Sequence, residues 1–260
     1  IPVSHLLIIP ICKNNKNLSI IIYGAMWKVL SLCLIFIAVV QTQDGPSTEI
    51  SIYLVLDPRV EQIALELNMN ITNTLPYNEI HLYKGYIPHI TLFQTSFYNE
   101  FLEDVVTVSQ AILTKFNGCT VVMEGGTVFG DYIEWDTQDN ACLRSINSEL
   151  ASALKKYRQV AQPIPRWILE FPDTELREIM TDNFVRYGFP FVGSNYQGGI
   201  TVGFDSRESI DFVVDILEFP AIAFVPKEIG IAVSGLYDTI SNEGLIINLP
   251  INFLQAVSFQ

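Results

Sequence analysis

His89 and Thr91 sit in the run Pro88-His89-Ile90-Thr91-Leu92, where apolar and polar residues alternate with the period of a half-buried strand. That spacing puts the imidazole and the hydroxyl on one face and Ile90 and Leu92 on the other. An imidazole beside a hydroxyl on a strand is suited to holding an oxyanion and moving a proton near neutral pH. The chain contains an echo, Gly198-Gly199-Ile200-Thr201-Val202, which keeps the hydroxyl and lacks the imidazole. His89 and Gly199 are 110 residues apart, close to half of the segment beyond residue 43, as an internal duplication would give.

The elements that must position these residues follow from local pattern. Ile50 to Leu56 alternates as a strand, and Asp57-Pro58 caps a helix running to about Leu67, with residues 68–77 as loop. The motif strand spans Tyr86 to Thr95, and a helix follows on Phe101, Leu102, Val105, Val106, Val108, Ile112 and Leu113. Cys119–Met123 and Thr127–Trp135 flank Glu124-Gly125-Gly126 as a hairpin, and Asp139 or Asn140 caps the next helix. In the second half Arg166–Phe171 reads as strand, Pro172–Arg186 as helix, Gly199–Phe204 as the echo strand and Ser206–Leu217 as helix. Ala221–Val225, Glu228–Leu236 and Gly244–Leu249 supply the last strands, with a turn at Asn242-Glu243-Gly244. The order of strand, helix, motif strand, helix and hairpin thus occurs twice.

Residues 1–25 read as a leader or extension outside the folded protein, and Met26 as a start. Met26-Trp27-Lys28 followed by the apolar run Val29–Val40 and a polar Gln41-Thr42-Gln43 reads as a signal peptide over 26–43. The competing reading, a transmembrane anchor that joins Ile20–Ile22 to this run, is interrupted by Lys28, and each half falls short of the roughly 20 apolar residues a span needs. Residues 44–260 are then one bilobal domain with no stable membrane insertion. Taking the leader's three lysines from the 15 basic residues leaves 12 against 28 acidic ones, a net charge of −16. Such a surface repels polyanions, so long nucleic acid is excluded as a partner, whereas a small nucleotide in a locally basic pocket is not.

Cys119 and Cys142 are the two cysteines beyond the leader, and export favours a disulfide between them over two separate thiols. Asn70-Ile71-Thr72 is a glycosylation sequon, consistent with the same compartment. Two histidines, His81 and His89, with no Cys or Glu at ligand spacing give no metal site, and no cofactor is expected. No phosphate loop of the Gly-x-x-x-x-Gly-Lys type and no Gly-x-Ser-x-Gly elbow occurs.

Ile87-Pro88-His89-Ile90-Thr91-Leu92-Phe93, with its echo, resembles the first motif of the two-histidine phosphoesterase superfamily, which includes RNA 2′,3′-cyclic phosphodiesterases also called 2′-5′ RNA ligases. The resemblance extends over about 50 to 250 in element order. It implies an α+β fold of two pseudo-symmetric lobes of antiparallel sheet with outer helices around a central cleft, lined by His89, Thr91 and Thr201. In that family one histidine removes a proton, the other delivers one, and the hydroxyls hold nonbridging oxygens. Gly199 can do neither, and loss of one acid/base group costs ~10²- to 10⁴-fold in rate.

Tyr86 and Tyr196 each stand three residues before a motif position, as candidates for stacking on a ligand or donating to phosphate, with packing as the alternative. Lys84, Arg166 and Arg186 could add positive charge or be solvated surface, and His81 reads as a loop histidine. Two functions remain open. One is a secreted phosphoesterase-like hydrolase of small cyclic or 2′-5′ phosphodiesters, with catalytic His89, Thr91 and Thr201 and ligand contacts from Lys84, Tyr86, Tyr196 and Gly199. The other is a noncatalytic protein that binds a nucleotide or unrelated small molecule in the same cleft.

Overall fold

Ile50, Ile52 and Leu54 alternate along β1 (Ser47–Val55) and are buried together, so this strand anchors the core. The computed structural model describes residues 45–115 and 119–251. The expected leader and signal segment, residues 1–43, lie outside the described residues. Among the described residues no helix is long and apolar enough to cross a membrane.

Asp57 caps α1 (Pro58–Thr74), its carboxylate accepting from the Arg59 amide at 3.0 Å with Pro58 in the first turn. The helix continues through the polar run expected to be loop. Asn68 lies buried in it as a hydrogen-bonding anchor, and Ile71 packs in the core. Asn70 of the sequon is therefore an exposed helical residue, and the Thr72 hydroxyl accepts from Asn78 at 2.8 Å.

After a short turn at Leu82–Lys84 come β2 (His89–Tyr98), α2 (Leu102–Leu113), β3 (Val121–Phe129) and β4 (Tyr132–Thr137). The hairpin turn lies at Gly130-Asp131, where Gly130 supplies φ +61°, and not at Glu124-Gly125-Gly126. Those glycines form a bulge inside β3, with Gly125 at φ +75°, and Phe219 occupies the space a side chain on Gly126 would need.

Asn140 caps α3 (Ala141–Leu154), accepting from the amides of Cys142 and Leu143. Residues Arg166–Leu169 form one helical turn, α4, rather than the expected strand. Ile168 is buried there beside Met180 and Phe184 of α5 (Thr174–Tyr187), so the apolar run packs on a helix instead of joining a sheet. The remaining elements are β5 (Gly199–Phe204), α6 (Arg207–Ile216), β6 (Ile222–Phe224), β7 (Glu228–Val233) and β8 (Leu245–Pro250).

The fold is α+β, with two four-stranded antiparallel sheets in the orders β2-β1-β7-β8 and β5-β4-β3-β6. Sheet membership corrects the simple repeat of sequential halves. The last hairpin, β7–β8, completes the sheet begun by β1 and β2, while β3 and β4 join β5 and β6.

The two motif strands hold equivalent edge positions and approach each other there. The Tyr196 hydroxyl donates to the Thr91 carbonyl at 2.8 Å, and a side chain on Gly198 would meet Ile90 at 3.3 Å. Each carries a one-residue bulge directly after its threonine, at Leu92 and at Val202. A bulge removes a carbonyl from the ladder, and a buried asparagine satisfies each one. Asn147 of α3 donates to Leu92 O at 2.8 Å, and Asn68 of α1 donates to Val202 O at 2.9 Å.

Candidate functional site

Period-two alternation decides which way the motif side chains face. Ile90, Leu92, Ile200 and Val202 are buried in the core, while His89, Thr91, Gly199 and Thr201 are half-buried on the opposite faces. Gly199 and Thr201 therefore share a face. On β4 their pairing partners, Asp136 and Glu134, turn to that same face, while Ile133 and Trp135 enter the core. Thr91 and Thr201 line one small cavity of about 80 Å³ with Gln94, Glu134, Gly199 and Asp238.

Glu134 fills the place beside Gly199. A Cβ built on Gly199 would lie 2.8 Å from its Oε2. Loss of water around the carboxylate pushes Glu134 up to about 7, with Asp136 and then Asp238 adding like-charge repulsion. Burial likewise raises Asp136 to about 6, against the stabilising hydrogen bond it accepts from Thr127 at 3.1 Å. Across the cavity Gln94 bridges two carboxylates, donating to Glu49 at 3.1 Å and to Asp238 at 2.6 Å. Asp238 is solvent-exposed at the rim yet crowded on its inner side, and that crowding raises it.

His89 opens β2, and its Nδ1–H donates to the Ile87 carbonyl at 2.8 Å, leaving Nε2 as the free nitrogen of the neutral ring. The ring meets Tyr53 edge-on at 5.1 Å and is not among the side chains lining the cavity. Burial lowers it to about 4, so it is neutral at physiological pH and offers a hydrogen-bond acceptor there.

Tyr196 is buried, and its hydroxyl is spent on Thr91 O, which ties the two motif strands together. Lys84 and Tyr86 are exposed and do not line this cavity, Tyr86 standing in a bridge to Ser241. Arg166 and Arg186 pair with Glu170 and Asp182 on exposed helical turns. His81 is half-buried, with Nδ1 3.4 Å from the Tyr83 hydroxyl. Cys119 and Cys142 are joined as a disulfide, with Cα atoms 5.9 Å apart.

A second cavity of about 280 Å³ shares Phe129, Glu134, Phe191, Thr201 and Asp238 with the first and extends past Trp167 and Tyr237. Tyr237 and Asp238 adopt φ +57° and +56°, uncommon for residues with side chains. This turn lays the Tyr237 ring over Phe204 at 4.4 Å and brings Asp238 to Gln94.

Sequence reading missed Glu134, Asp136 and Gln94 because each looks like a solvated polar position on an alternating strand. The available signal was register, since Glu134 and Asp136 lie two residues apart on the strand that pairs with the echo.

No family model and no curated protein matches the chain. Among solved structures it is similar to E. coli LigT in apo form, at 10% identity and TM-score 0.42, covering 80% of this chain and 99% of that one. It is also similar to a structure described as a phosphoesterase, at 10% identity and TM-score 0.41, with the same coverage of both chains.

Proposed function

We propose that this is an exported small-molecule-binding protein whose ligand sits between the two motif strands, with catalysis reduced or lost. The observation that carries this reading is Glu134 in the space beside Gly199, within cavities whose described lining contains no Lys, Arg or His. A phosphodiester anion there meets carboxylates and no cationic side chain, a combination that repels rather than neutralises it. The disulfide, the sequon and the apolar run after Met26 support export.

The test is to offer 2′,3′-cyclic AMP to the purified protein and follow binding and turnover separately, with His89→Ala and Gly199→His variants. Absence of turnover, with at most weak binding of this anion, supports the reading. Turnover by wild type that His89→Ala abolishes would replace it with the hydrolase.

One observation favours that second reading. The Glu134 carboxyl, raised to about 7 and beside Thr201, is a proton donor of the kind a second motif histidine would supply. Paired with His89 as acceptor, it predicts a bell-shaped pH profile. The acid limb lies near 4, where His89 loses its proton, and the alkaline limb near 7, where Glu134 loses its own.

A further inference from the structure

The larger cavity differs from the smaller one in what its walls offer. Phe129 and Phe191 are half-buried and stand at 5.2 Å in a T-shaped pair, while Trp167 is 42% exposed and lies nearly parallel to Phe191 at 6.2 Å. Rings left open at a cavity surface present both apolar area and negative π faces. The carboxylates come from separate elements: Glu134 from the middle of β4, Asp131 from the β3–β4 turn and Asp238 from the turn after β7. Among the described residues, Glu134 accepts no hydrogen bond and joins no ion pair, and no Lys or Arg lines the cavity to neutralise it.

We propose that this cavity binds an organic monocation, an alkyl- or arylammonium group whose charge meets Glu134 and Asp238 and whose apolar body lies on Phe129, Trp167 and Phe191. The inference rests on the reading of the cleft as a small-ligand site and names the ligand's chemistry. A bare metal ion fits less well, since no group of three or more potential ligands converges among the described residues. Size agrees with a compact ligand, because about 280 Å³ lies at the small end of ligand sites. Aromatic faces and carboxylates both attract a cation, and the carboxylates repel an anion of the same shape, so sign of charge is what this wall discriminates.

The experiment titrates the full protein calorimetrically with tryptamine and with indole-3-propionate, which share a ring but carry opposite charge. It is done at about pH 8, above the raised Glu134 carboxyl. Tryptamine is expected to bind, and indole-3-propionate at least about tenfold more weakly. Glu134→Gln is expected to weaken tryptamine by about tenfold and to narrow the gap between the two ligands. Trp167→Ala, which alters an exposed side chain and leaves the core intact, is expected to weaken both.

Equal or tighter binding of indole-3-propionate, or tryptamine affinity unchanged by both substitutions, overturns the proposal. If indole-3-propionate or 2′,3′-cyclic AMP binds instead and Thr201→Tyr blocks it, the cation is wrong while the cleft reading stands. If none of the three ligands binds, both fall.

Discussion

Glu134 and His89 deviate in opposite directions, and their effects on stability oppose each other. Glu134 titrates near 7 in the folded protein and near 4.5 when unfolded, so between those values the native state holds the extra proton and stability falls as pH rises. His89 titrates near 4 folded and 6.5 unfolded, so over that interval the unfolded state holds the extra proton and stability rises with pH. Glu134→Gln should therefore stabilise the protein at about pH 8 relative to pH 5, by about 1 to 3 kcal/mol after allowance for partial exposure. Thermal melts of wild type and variant at both pH values check this, and an equal change at both would remove the carboxyl from the account. The His89–Thr91 pattern was legible in sequence because period two is a local property. Glu134 was not, because its partner on β5 is decided by a register that only the folded hairpin sets.

At the scale of elements, the two motif strands are held by one device used twice. Asn147 donates to Leu92 O and Phe191 O and accepts from the Gly193 amide; Asn68 donates to Ile80 O and Val202 O and accepts from the Leu82 amide. Replacing either with Ala strands three backbone groups, all buried for Asn68 and one buried with two half-buried for Asn147, and should cost about 2 to 4 kcal/mol, measured by chemical denaturation. A loss below about 0.5 kcal/mol would mean that water replaces the amide. Asn68 also shows why element boundaries were misread. Its polarity argued for loop, while its partners are supplied by chain as distant as Val202. Gly230 makes a second point about packing, since the Tyr53 ring occupies the space a methyl would take, at 2.0 Å. Gly230→Ala should destabilise by about 1 to 3 kcal/mol through overpacking, seen as a lower denaturation midpoint.

For the whole molecule, the disulfide closes the β3–β4 hairpin onto the start of α3 across a sequence separation of 23. Reducing it, or replacing Cys119 and Cys142 together with Ala, should cost about 3 kcal/mol, read as a fall in Tm. The fold class and the number of motif strands were readable from pattern, but the assignment of hairpins to sheets was not. Strand partners depend on which edges remain open once the whole chain has collapsed, and β1 takes its second partner from β7, far along the sequence.

That late pairing bears on how the protein is made. A ribosome delivers β1 and β2 early, but β1 keeps one edge unpaired until residues 228–233 emerge. During that interval β1 presents an open strand edge, a feature that templates aggregation. A nascent chain cut short before β7 should therefore be an insoluble fragment rather than a half-working lobe, and quality control would meet this protein as all or nothing.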